Sequence, residues 1–135
     1  MNPTQNQPAE VHVTPADILR AAALYIERHG WTQWLYYNRD ATDGPFPPAC
    51  AIGGIRIAVY GDTTGLAASP ADNALVAGTQ RHLAAHLDPD FYVTEYDAAD
   101  VIGDWNDEGG RTAGQVIAAL RAAADEWDRI HGGAQ

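Results

Sequence analysis

Signals for the start of an α-helix recur four times along the 135 residues of this chain, and they constrain its fold more than any other feature. Thr14-Pro15-Ala16-Asp17, Ser69-Pro70-Ala71-Asp72, Asp97-Ala98-Ala99-Asp100 and Thr112-Ala113-Gly114-Gln115 share one pattern. An oxygen-bearing side chain stands at the N-cap, and a carboxylate or amide follows three residues later. The first accepts the N–H of the third helical residue; the second reaches back to the N–H of the cap itself. Pro15 and Pro70 fall at the first helical position, where an absent N–H costs nothing.

Apolar spacing extends these starts into elements. Helices are predicted over 15–29, ending at Gly30, and over 70–87, ending at Asp88-Pro89-Asp90. Two more are predicted over 98–106 and 113–131, the latter with Val116, Ile117, Leu120, Ala124, Trp127 and Ile130 on its inner face. The segment 48–60 is harder. Ile52, Ile55 and Val59 make a helical stripe, while Ile55, Ile57 and Val59 alternate as in a strand, and Gly53 and Gly54 each cost a helix about 1 kcal/mol relative to Ala. It is read as a helix, with the paired glycines allowing another helix to approach closely. Residues 31–37 (WTQWLYY) and 91–96 (FYVTEY) are aromatic and short, and are the two candidates for strands. The expected fold is mainly α: a compact bundle of four to five helices, with a two-stranded ribbon pairing 31–37 with 91–96 as an option. The expected organisation is a flexible arm over 1–12, a single helical domain over 13–131 and a loose C-terminus over 132–135.

Charge narrows the partners. Eighteen acidic residues oppose eight basic ones, all arginine, for a formal charge of −10. Such a surface repels phosphate, which disfavours direct nucleic-acid binding and anionic membranes. It suits a basic protein partner, imitation of nucleic acid, or simple solubility. A single cysteine excludes an internal disulfide and points to a reducing compartment, and no run is apolar enough to span a bilayer, so the expected location is the cytoplasm. Abundant Ala and Arg without any Lys suggests a GC-rich genome.

Four constellations bear on chemistry. Cys50 is predicted in the first turn of a helix, where the dipole and free N–H groups favour a thiolate; a cysteine-dependent enzyme is the reading that follows, although no base is visible and a buried thiol packed as a small apolar residue is the simpler one. His82 and His86 stand at i and i+4, a spacing that lets two imidazoles meet one metal, but no third ligand accompanies them. Asp104, Trp105, Asn106 and Asp107, followed by Arg111, would make a polar pocket with an aromatic wall, in which Arg111 clamps a small anion; pairing of Arg111 with Asp104 or Asp107 competes with that. Trp31, Trp34, Tyr36 and Tyr37, with Phe46, are more aromatics than a short segment easily buries, and are read as a recognition face for another protein or as a cap on the core. No cofactor motif is present: Gly53-Gly54 and Gly109-Gly110 lack the spacing of a phosphate loop.

Three motifs in fixed order carry a resemblance. They are His29-Gly30-Trp31-Thr32-Gln33, Pro48-Ala49-Cys50-Ala51-Ile52-Gly53-Gly54-Ile55, and Trp105-Asn106-Asp107 with Arg111-Thr112 and Val116-Ile117. In these the chain resembles a family of small proteins of unknown function from actinobacteria and their phages, over about residues 15 to 125. The resemblance implies a high-GC bacterium or its virus as source and carries no activity. The expected function is that of a non-enzymatic protein-binding factor, an accessory of a phage or mobile element.

Overall fold

The computed structural model describes residues 12–93 and 97–132. The arm expected over 1–12 and the loose end over 132–135 lie almost entirely outside the described residues. Within them are five α-helices: α1 (Pro15–His29), α2 (Ala51–Tyr60), α3 (Pro70–Leu87), α4 (Ala98–Asn106) and α5 (Ala113–Ile130). The mainly α expectation holds, and the predicted boundaries of the four capped helices stand nearly residue for residue.

Local chemistry explains those boundaries. Thr14, Ser69 and Thr112 each close the full reciprocal box with Asp17, Asp72 and Gln115. The Asp97 carboxylate accepts the N–H of Asp100. α2 carries no such signal in its sequence. Its N-cap is Cys50, whose Sγ accepts the Gly53 N–H at 3.4 Å. Burial decides the helix–strand ambiguity of 48–60. Ile52, Ile55 and Ile57 are all buried, and a helix satisfies its own backbone donors and acceptors without a sheet partner.

α1 is the centre of the bundle and packs against α5, α2 and α3; α4 lies mainly against α3. Leu19 and Ile26 of α1, Ile55, Leu83, Ile102, Val116 and Leu120 form the fully buried core. Small residues bring the helices close. A Cβ on Gly54 would lie 3.3 Å from the Ala22 Cβ of α1, which is the close approach that the paired glycines foretold. The α5 stripe runs true through Ala124, then opens to solvent: Trp127 is half-buried and Ile130 exposed.

The ribbon does not form among the described residues. Phe91–Val93 is a 3-10 turn, started by the Phe91 N–H on the Asp88 carbonyl, and the strand expected over 94–96 lies outside the described residues. Residues 31–37 pair elsewhere: Trp31 and Tyr37 each make an isolated bridge to Ala49.

Candidate functional site

That pairing creates the most distinctive part of the molecule. The chain leaves α1 at Gly30 (φ +100°) and makes an Ω-shaped loop whose two ends close on the same three residues. The Ala49 N–H donates to the Gly30 carbonyl and the Thr32 N–H to the Ala49 carbonyl, both at 3.1 Å. On the far side the Cys50 N–H donates to the Tyr36 carbonyl at 3.0 Å and the Asn38 N–H to the Pro48 carbonyl at 2.9 Å. The loop thus lies across the start of α2. Gly53 is required there, because a Cβ would stand 2.2 Å from the Tyr36 carbonyl oxygen.

A buried asparagine ties this loop to the end of α4. Asn106 is 1% exposed, and its Oδ1 accepts both the Trp31 indole N–H at 2.9 Å and the Ala51 N–H at 3.0 Å. Its Nδ2 donates to the Thr32 carbonyl at 3.2 Å and to Asp107 Oδ1 at 3.0 Å. Gln33 Nε2 donates to the Asn106 and Glu108 carbonyls at 3.2 and 3.1 Å. Asp107 Oδ1 also accepts the Trp34 N–H at 2.8 Å. Every polar atom of the Asn106 side chain is used, which is what a buried amide requires.

The network holds Trp34 in an unusual state. Its φ is +73°, in the left-handed region, and no other non-glycine described residue has a positive φ. For a bulky residue that conformation costs of order 1–3 kcal/mol, so it persists only where the surroundings over-determine it. The side chains it turns outward are large and apolar: Trp34, Leu35 and Tyr36 are 76%, 56% and 48% exposed. Beneath them is a cavity of about 70 Å³ lined by Trp34, Leu35, Cys50, Ile52, Gly103 and Asn106.

The structure therefore splits the predicted aromatic cluster. Trp31 and Tyr37 face inward, Tyr37 donating its hydroxyl to the Gly53 carbonyl at 3.1 Å; Trp34 and Tyr36 face outward. Burial pushes the Tyr37 phenol up to about 12. Leu35 and Gln33 are part of the site and escaped the sequence reading. The contiguity of Leu35 with three aromatics, and Gln33 within the His-Gly-Trp-Thr-Gln motif, were the available signals.

The other candidates are placed as follows. Cys50 is buried at the α2 cap, and burial pushes its thiol up, with the Gly53 N–H offsetting only part of this. That environment favours the thiol over the thiolate. Arg111 neither pairs with Asp104 or Asp107 nor points at solvent. Its Nε donates to the Trp105 carbonyl at 2.9 Å, its terminal N–H bonds Glu108, and its guanidinium lies 4.0 Å above the Trp105 ring. Asp104 is exposed on α4 outside this network. His82 and His86 each meet a separate group of α5: His82 Nε2 lies 2.7 Å from the Ala123 carbonyl, and His86 Nδ1 lies 2.9 Å from Glu126. Among the described residues no group of three or more His, Cys, Asp or Glu is disposed to hold a metal, and no helix is long and apolar enough to cross a membrane. Many carboxylates serve local ends. Asp17, Asp72 and Asp97 cap helices, Asp125 and Asp128 hold Arg20, and Glu27 holds Arg121.

Fold and site together define a small five-helix domain in which one strained loop is strapped over a helix start by a buried polar network. The chain belongs to the family of unknown function DUF6197, whose model matches residues 10–126. No curated protein and no solved structure matches it.

Proposed function

We propose that this chain is a non-enzymatic binding protein whose recognition face is the Trp34-Leu35-Tyr36 loop. The observation that carries the reading is Trp34. A glycine there would relieve the left-handed strain, and the exposed indole returns little stability of its own. The side chain and its conformation make sense together as a contact residue. Trp and Tyr are enriched at interface hot spots, and rigid loops present them at low entropic cost. The partner is a protein with an apolar centre and a basic rim. The small cavity beside Leu35 and Cys50 suits the tip of one apolar side chain, while Asp104 and Glu108 stand exposed at the adjoining end of α4 on a chain of charge −10. A cytoplasmic accessory role for a phage or mobile element of a high-GC bacterium belongs to the same reading, supported by the lysine-free composition.

The test is site-specific photo-crosslinking from position 35, with wild type compared with Trp34→Gly and with Leu66→Ser, a control at another exposed apolar residue. The expected product is one crosslinked protein. Its affinity, measured with the purified partner, falls at least 30-fold (about 2 kcal/mol) in Trp34→Gly, falls with added salt, and is unchanged in Leu66→Ser. Equal loss in both variants, or no loss in either, refutes the reading. Circular dichroism serves as the folding check, since Trp34→Gly is expected to be at least as stable as wild type.

A further inference from the structure

At the opposite end of the α5 stripe the apolar face opens into a groove of about 430 Å³ between α3 and the last turns of α5. Its volume is in the range of small-ligand sites. The walls are aromatic and already ordered. The Trp127 and His131 rings stack with centroids 3.6 Å apart at 14°, and the His82 ring meets Trp127 edge-on at 5.2 Å. Each imidazole is fixed by a carbonyl: His82 Nε2 lies 2.7 Å from the Ala123 oxygen and His131 Nδ1 2.9 Å from that of Trp127. A carbonyl only accepts, so both nitrogens carry hydrogen, which sets the tautomers and the ring orientations. Tyr92, exposed on the 3-10 turn, lines the far side.

The charge in the groove is one-sided. Its single carboxylate, Glu126, is already held by His86 at 2.9 Å and by Arg129 at 3.7 Å. Arg20, Arg111, Arg121 and Arg129 pair with acids, and Arg28, Arg39, Arg56 and Arg81 make no ion pair among the described residues; of these four, the exposed Arg81 is the one that lines the groove. Gly78, one turn earlier on α3, leaves open the ground beside it: even a Cβ there would only just reach the Arg81 guanidinium, at 3.9 Å. What sets Arg81 apart from the other three is its place in a groove walled by the stacked Trp127 and His131 rings, which favours a ligand with an anionic and a planar part.

We propose that this groove binds a small planar aromatic carboxylate. Arg81 takes the carboxylate through its paired N–H groups, and the ring lies between Tyr92 and the Trp127–His131 wall. The site shares no residue with the Trp34 loop, so the two proposals stand or fall separately.

The probes are benzoate and 2-naphthoate, titrated into the full chain while NMR follows the four Trp indole N–H signals. Saturable movement of the Trp127 signal alone is expected. Arg81→Gln, an exposed substitution that leaves the core intact, raises Kd at least tenfold, and cyclohexanecarboxylate or neutral benzamide binds at least tenfold more weakly than benzoate. Trp34→Gly leaves the titration unchanged. The proposal is overturned by any of four results: no saturable shift up to the solubility of the probes, movement of other indoles instead of Trp127, equal affinity in Arg81→Gln, or inorganic phosphate competing as well as benzoate binds.

Discussion

The seam between α1 and α5 and the knot around Asn106 lie on the same small domain, and they are held by opposite means. The seam is apolar and graded: α1 and α5 bury Leu19, Ala23, Val116, Leu120, Ala123 and Ala124 in one shared core, with Arg20 and Arg121 making exposed ion pairs across it. Each contact there is small, and losing one leaves the rest. The knot is polar and interdependent. One amide satisfies a half-buried indole N–H, a helix-start N–H and a loop carbonyl at once, so removing it orphans several groups together. The lesson is that this fold keeps its bulk stability in the bundle and spends its directional bonds on fixing one loop.

The largest test of that contrast is Asn106→Leu. It leaves the half-buried Trp31 indole and the buried Ala51 N–H without acceptors, and is expected to cost about 3 kcal/mol, roughly 10 °C in Tm, by thermal denaturation. A loss below about 1 kcal/mol would mean that the knot is ornamental. Next comes a pair of glycines with opposite signs. Gly53→Ala is expected to destabilise by about 2 kcal/mol despite better helix propensity, because its Cβ meets the Tyr36 carbonyl; Gly103→Ala on α4, which meets nothing within 4 Å, should stabilise by about 0.5–1 kcal/mol. Denaturant midpoints of the two variants decide this directly. Thr112→Ala removes a purely local box and should cost about 1 kcal/mol, with no change in the environment of the Trp31 indole. The smallest effect at neutral pH is alkaline sensitivity. Tyr37 and Cys50 both have raised pKa values in the folded state, so the stability they contribute is full below the ordinary phenol and thiol values. It is lost as pH rises through the folded ones, about 12 for Tyr37. Urea midpoints measured upward from pH 9 should fall, and less steeply in Tyr37→Phe.

The same contrast explains what could be read from the letters. Caps and stripes act within one helical turn, so α1, α3, α4 and α5 were legible from Thr14, Ser69, Asp97 and Thr112. α2 was half-legible, since a sulfur cap and β-branched Ile55, Ile57 and Val59 hide a helix whose formation rests on burial. Phe91 and Tyr92 read as strand by composition, but the partner they needed was already taken by Ala49. The knot joins residues 31–34 to 106–108, some 73 to 75 positions apart. Nothing local announces which polar group will meet which. Its members could be nominated as Trp31, Trp34, Asn106 and Asp107, while the division into inward and outward side chains depended on the loop's path.

The loop separates what holds it from what it displays. Trp34 gives the frame its N–H and Tyr36 its carbonyl, backbone groups that nearly any amino acid supplies, while the Tyr36 ring also meets the Arg56 guanidinium at 5.4 Å. Side chain 35 can therefore change without touching these bonds, whereas position 34 is limited to residues that accept a left-handed backbone. A residue exchanged at position 35 is displayed in the same pose, much as a socket accepts interchangeable bits.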